Sequence, residues 1–570
     1  MAQIVERNKR KYYPEDFIFT DWNSIESYYS ELERTEISSL DTLMKFIEQR
    51  SEIDKIVEEE YRWRYVRMTC DTENESYKEQ YEAFINDVMP QLMPVSNRLN
   101  LLVYQSPFFN DLDSERFFIY KRSLKNAIEL YKEENVALIQ QEQLLAHEFG
   151  SISGQMTIVH NDEEFTLPQA GLFLQEKDRA IRKEVYEKIN NRRLEDEEKL
   201  NQLFSDLVKV RHQIAVNAGF QNYRDYKLAE LGRFDYGVQE CEAFHLSIQD
   251  IIIPIVNKIY TSKKGNLGVE TLKPYDLEVE ETDHTPLKPY QSEREFIDKS
   301  IQCLNSVDAY FANCIGTMDK MEYLDLSSRK GKAPGGYNMT MPEIGIPFIF
   351  MNGAGTHRDV EVMVHEAGHA VHSFLMRDLP YNFDGDITSE TAELASMSME
   401  FFTYDGLQAF YSEEEKARAI QSHLKGTISM LPWIALIDKF QHWIYTHPEH
   451  TVEERTQTWN AMHQQLSSDV IDWSAYQNYR NAIWQKQLHL FEVPFYYIEY
   501  GIAQLGAIAM YKNYCENKHK TIAEYKSALS LGYTKTIPDV YKAAGISFNF
   551  SSTYVSELAS FILSKIEMPS

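Results

Sequence analysis

THRDVEVMVHEAGHAVHSFLMRD, residues 356–378, is the stretch on which the reading of this 570-residue chain turns. Thr356 followed by Asp359 is an N-cap signal. Val360, Met363, Val364, Ala367, Ala370, Val371 and Phe374 then recur at helical spacing, so the segment is predicted to be an amphipathic helix. His365 and His369 stand one turn apart on one face of it, where two imidazoles can converge on a single ion while Glu366 points beside them. That is the arrangement needed to hold a metal ion and work on water beside it. A random chain with these 16 histidines would show HExxH in roughly one case in twenty-five, and the helical context lowers that chance further.

Zinc held by two imidazoles needs a third protein ligand and an open position. His372 lies about 10 Å along the helix axis from His365, whereas donor atoms on one ion sit within roughly 3.5 Å of one another. It cannot join the pair on an intact helix. The position six residues after His369 is Leu375, so no third histidine stands there either. The next segment, DITSETAELASMSMEFF (386–402), reads as a second helix carrying Glu390, Glu393 and Glu400. One carboxylate could complete a His-His-Glu set and another could orient an imidazole N–H, but spacing alone does not choose among them.

Glycine and proline are sparse (23 and 18), and long charged segments carry apolar residues at helical spacing, so the chain is predicted to be mainly α. Its length corresponds to about two to four domains. From Ser24 to Leu138 the pattern is helical, as in Leu40, Leu43, Met44 and Ile47. Between Gly154 and Leu167 it changes to a hairpin about Asn161 and Asp162. A boundary near 145–170 follows, dividing an N-terminal helical region (1–165) from a catalytic region (166–570). Leu200, Leu203, Phe204, Leu207 and Val208 resume the helical spacing, with Gly219 as a stop. Residues 262–293 read as a polar surface connection. Residues 329–355 combine loop with a short strand, Pro347–Met351, which either presents an edge that holds an extended peptide by main-chain hydrogen bonds or belongs to an ordinary hairpin.

Acidic residues outnumber basic ones by 87 to 58, a formal charge of -29. Such a surface repels phosphate backbones and anionic lipid, which argues against nucleic acid and membrane partners. The five cysteines are widely spaced without a CxxC pair, so neither a disulfide framework nor a thiolate zinc site is indicated. The N-terminal residues contain no apolar core of a signal sequence, and no stretch is long enough to span a bilayer, so a cytoplasmic location is expected. A monomer is compatible with the sequence.

HEAGHAVHSF followed by AELASMSME, with Glu393 at the matching distance after His369, resembles the oligoendopeptidase F and thimet oligopeptidase family, the oligoendopeptidase F branch in particular. The resemblance implies a two-part helical ellipsoid enclosing a deep channel that admits oligopeptides, with a small β element beside the HExxH helix. It implies one Zn2+ per chain on His365, His369 and Glu393, with Glu366 as the catalytic acid-base. Downstream, QLHLFEVPFYYIEYGIAQLGA (487–507) supplies His489, Tyr496, Tyr497 and Tyr500, similar to the family's histidine and closely spaced tyrosines. Such donors are expected to stabilise the oxyanion. The implied activity is zinc-dependent hydrolysis of internal bonds in short peptides. Two other readings stay open: a helical zinc carboxypeptidase with the same HExGH motif, and a binding or scaffold protein that retains the motif without catalysis.

Overall fold

The computed structural model describes residues 4–281, 286–333 and 335–566. Helices α1 (Trp22–Glu33), α2 (Leu40–Cys70) and α3 (Met89–Tyr104) come first, followed by the strands β1 (Thr157–His160) and β2 (Glu163–Thr166). Then come α4 (Glu197–Asn217) and α5 (Val238–Ser247). Strands β3 (Leu324–Ser327), β4 (Tyr337–Met341) and β5 (Ile346–Gly353) lead into α6 (His357–Met376) and α7 (Ser389–Phe402). Helices α8 (Glu413–Thr446), α9 (Tyr497–Glu516) and α10 (Lys518–Leu529) follow. Further helices fill the intervals, and the fold is mainly α.

The chain forms two compact units. The first comprises Met1–Tyr131, Pro286–Ile420 and Ala503–Phe548, and the second Lys132–Thr285, Gln421–Ile502 and Asn549–Ser570. In the first unit, α2 begins at Ser39, whose hydroxyl accepts the Thr42 N–H while the Thr42 hydroxyl accepts the Ser39 N–H. Leu43 and Ile47 from its apolar stripe pack into the core with Phe46, while Leu40 sits at the exposed start. In the second unit, the five apolar residues named on α4 are all buried. That helix ends at Gly219 (φ 88°), where the Phe220 N–H reaches back to the Ala215 carbonyl at 2.9 Å, the left-handed cap that glycine favours. β1 and β2 pair antiparallel from Thr157↔Thr166 to His160↔Glu163. Asn161 and Asp162 both take positive φ, 52° and 63°, as a two-residue hairpin turn requires.

Two sequence expectations change here. Strand β5 is not an edge. It is the middle strand of a sheet ordered β3-β5-β4, parallel to β3 and antiparallel to β4. Its first six residues are buried, the continuous apolar run of a strand covered on both faces, and Pro347 sits opposite Thr340 in the pairing. Proline commonly marks an edge, and here the half-buried β4 has that place. The polar stretch 262–293 is not simply a surface connection either. A helix continues to Asn266, and Leu272, Asp276 and Tyr290 are buried beyond it. The Asp276 carboxylate accepts from Arg179 and Arg182 at 2.7–3.0 Å. Residues 282–285 of that stretch lie outside the described residues. Among the described residues no helix is long and apolar enough to cross a membrane.

Candidate metal centre

The start of α6 is fixed by its own sequence. Thr356 accepts the Asp359 N–H at 3.4 Å, and the Asp359 carboxylate accepts the N–H groups of Thr356 and Ala354 at 2.8 and 2.9 Å. The Tyr290 hydroxyl donates to the same oxygen at 2.6 Å. This anchoring sets the helix phase, so His365, Glu366 and His369 fall where periodicity places them. The Asn338 side chain of β4 donates to the Glu366 carbonyl at 3.2 Å, tying the sheet to the middle of α6.

Helix α7 packs against α6 at very close range because residue 368 is glycine. A Cβ built there would lie 2.5 Å from Ser396 Cα and 2.7 Å from the Ala395 carbonyl oxygen, both backbone atoms that cannot swing aside. Gly368→Ala is therefore expected to force the two helices apart, lowering stability by about 1–3 kcal/mol and weakening metal binding with it. Thermal unfolding with and without metal checks this. A variant with wild-type Tm and wild-type metal affinity would contradict the proposed close approach.

That approach brings Glu393 to the two histidines. Its Oε2 lies 3.3 Å from His365 Nε2 and 3.8 Å from His369 Nε2, and one donor atom from each of the three residues lies within 4.8 Å of the others. Four donors around a tetrahedral ion with bonds of about 2.0–2.1 Å are about 3.3 Å apart, so this spacing fits zinc, and two imidazoles with a carboxylate fit its ligand preference. His365 Nδ1 is 2.6 Å from Glu400 Oε1, a contact that commits that nitrogen to the carboxylate and turns Nε2 toward Glu393. The Ser396 hydroxyl donates to Glu393 Oε2 at 3.0 Å. Glu390 is buried on the same helix and His372 is buried on α6, but neither belongs to this group.

The electrostatics follow from burial and from these pairings. Burial opposes charge on His365, yet Glu393 and Glu400 outweigh it and hold its pKa well above the ordinary imidazole value. Burial raises Glu393, but the histidines override it and keep its pKa below the usual carboxylate range. His369 is pushed down to about 4, chiefly by burial, and His372 to about 3 by the same cause. Burial, aided by Glu393 and Glu400 and opposed by His365, raises Glu366 to about 7. Glu366 Oε2 has no hydrogen-bond partner among the described residues.

The remaining sequence candidates come together in the second unit. The His489 ring lies 4.8 Å from Tyr497, 5.9 Å from Tyr500 and 6.0 Å from Tyr496, centroid to centroid. Gln487 Nε2 is 2.7 Å from His489 Nδ1. Burial pushes the Tyr497 hydroxyl up to about 12, against a hydrogen bond with Trp433. The turn that leads into these tyrosines is held by residues that the sequence did not reveal. Phe495 has a positive φ of 66°, its N–H donates to Gln441 Oε1 at 2.7 Å, and its carbonyl accepts from Arg233. Arg233 also pairs with Glu499 at 2.7 Å, both buried. Their only sequence signal was polarity among apolar neighbours.

A mainly α chain in which HExxH lies on one helix and an acidic residue joins it from the next has the architecture of a metallopeptidase. The family model described as "Peptidase family M3" matches residues 172–560, and that of the "Peptidase M3 N-terminal domain" matches 16–131. The chain belongs to peptidase family M3. It is 25% identical over 414 residues to an oligoendopeptidase F homolog of Borreliella burgdorferi, spanning 71% of this chain and 67% of that protein. To oligopeptidase PepF of Bacillus subtilis it is 22% identical over 531 residues, spanning 85% and 74%. The solved structure of Pz peptidase A with an inhibitor superposes with a TM-score of 0.89 at 27% identity, over 96% of this chain and 99% of that one. The protein is a metallo-oligopeptidase acting on peptides.

Proposed function

We propose that the protein is a zinc-dependent endopeptidase that hydrolyses internal bonds of oligopeptides, with His365, His369 and Glu393 holding the metal and Glu366 acting as acid-base. The observation that carries this reading is the convergence of three donor atoms at metal-ligand spacing beside the buried Glu366 carboxylate, whose Oε2 has no hydrogen-bond partner among the described residues. When bound, the ion supplies Lewis acidity, which acidifies water and polarises the scissile carbonyl. Glu366, held near neutrality by its burial, accepts the proton of the attacking water and passes it to the leaving amine. Glu400 keeps the His365 ring oriented through Nδ1. His489 and Tyr500, with Tyr496 and Tyr497 around them, are assigned as donors to the oxyanion.

The oxyanion appears only after attack, so a donor to it acts mainly on turnover. Tyr500→Phe removes one hydroxyl and keeps the ring. It is expected to keep the bound metal while kcat falls by roughly 10²- to 10³-fold. If kcat stayed at the wild-type value here and in Tyr496→Phe, Tyr497→Phe and His489→Ala, this segment would have no oxyanion role. The endopeptidase reading itself is tested with an internally quenched peptide blocked at both ends. It should be cut at internal bonds, lose cleavage on chelation and regain it with zinc. Cleavage only of peptides with a free C-terminus, one residue at a time, would instead assign the protein as a carboxypeptidase.

A further inference from the structure

Within the second unit, α5 and α8 bring together a second group of metal-binding side chains. Cys241 and His245 stand one turn apart on α5, and Asp438 and His442 stand one turn apart on α8. Cys241, Asp438 and His442 are all buried, and each has a donor atom within 4.8 Å of the others'. His442 Nε2 is 3.2 Å from Asp438 Oδ2, and His245 Nε2 is 2.7 Å from the same oxygen. Asp438 has no exposed surface, and its Oδ1 has no hydrogen-bond partner among the described residues.

A fully buried carboxylate is costly unless a cation neutralises it. The groups that pair with Asp438 are the His245 and His442 imidazoles. A divalent cation between a thiolate and a carboxylate gives a set with no net charge and removes that cost. The 3.2 Å separation of His442 Nε2 and Asp438 Oδ2 is close to the roughly 3.3 Å expected of two donors on a tetrahedral zinc. Thiolate, imidazole and carboxylate are all zinc ligand types. His245, bonded to the same carboxylate, fits the role of the partner that holds a ligand in place.

We propose that Cys241, Asp438 and His442 form a second, buried metal site of thiolate, imidazole and carboxylate type, which takes a zinc-like divalent ion and ties α5 to α8. It shares no residue with the HExxH centre. Binding would release the Cys241 proton to solvent as the thiolate coordinates the ion. The site would raise the metal content from one ion per chain to two.

Cobalt(II) titration of the chelator-stripped full chain tests this, because a His-His-Glu centre contains no sulfur. Two equivalents should bind, one of them with a thiolate-to-cobalt charge-transfer band in the near ultraviolet. Cys241→Ser and His442→Gln should each lose that band and one equivalent while the other equivalent still binds. Uptake that ends at one equivalent without the band would overturn the proposal, as would a band that persists in Cys241→Ser. Where a variant folds poorly, zinc-edge anomalous diffraction from zinc-soaked wild-type crystals decides. A peak bonded to Cys241 Sγ supports the site, and no peak there leaves a His-Asp-His hydrogen-bond network and overturns it.

Discussion

Glu393→Ala is expected to lower zinc affinity by more than the roughly 10- to 100-fold typical of losing a supporting partner of a metal ligand, and to abolish peptide hydrolysis at ordinary zinc concentrations. The carboxylate is the only anionic donor in the group with His365 and His369, at 3.3 and 3.8 Å from their Nε2 atoms, so its removal leaves two neutral donors and an under-ligated ion. Two neighbours on α7 serve as internal controls. Glu400→Ala should weaken binding by roughly 10- to 100-fold, since it frees the His365 ring to turn without removing a ligand. Glu390→Ala should leave the affinity unchanged, although that residue is as buried as Glu393. Chelator competition measures all three. Wild-type affinity in Glu393→Ala, or a large loss in Glu390→Ala, would show that the third ligand is misassigned.

Glu366→Gln should separate binding from chemistry. The substitution preserves shape and leaves His365, His369 and Glu393 untouched, so metal content and Tm are expected to stay at wild-type values. Turnover should fall by at least the roughly 10²- to 10⁴-fold assigned to general acid-base catalysis, because an amide cannot accept the proton of the attacking water. KM should change far less than kcat, since Glu366 acts on the transition state. Metal loss comparable to that of His365→Ala would instead make Glu366 a ligand, and unchanged kcat would remove it from the mechanism.

What was legible in the sequence was mostly local. The cap at Thr356, the helical spacing from Val360 to Phe374 and the one-turn separation of His365 and His369 all lie within a single helix, and α6 has them as predicted. The hairpin at Asn161 and Asp162 and the stop at Gly219 are also short-range, because each depends on a backbone conformation that few residues adopt. Choosing among Glu390, Glu393 and Glu400 was different. That choice depends on how α7 lies against α6, which is set by the Gly368 contact with Ser396, and no periodicity encodes such a contact.

The place of β5 in its sheet is likewise not encoded locally. Its apolar run and Pro347 describe one strand, whereas edge or centre is a property of the partners, and β3 and β4 come from preceding segments with weak patterns of their own. No CxxC pair marks Cys241, His245, Asp438 and His442 in the sequence. Each helix contributes one pair with one-turn spacing, and only the packing of α5 with α8 makes four residues of it. The compact units, each assembled from three separated segments, likewise arise from long-range packing.

Anomalous diffraction at the zinc edge from crystals of the zinc-reconstituted protein locates the ion itself. A strong peak is expected about 2 Å from His365 Nε2, His369 Nε2 and a Glu393 carboxylate oxygen, as the His-His-Glu assignment requires. Absence of density among those three atoms, or a peak bound by His372 or Glu390 in place of Glu393, would contradict it.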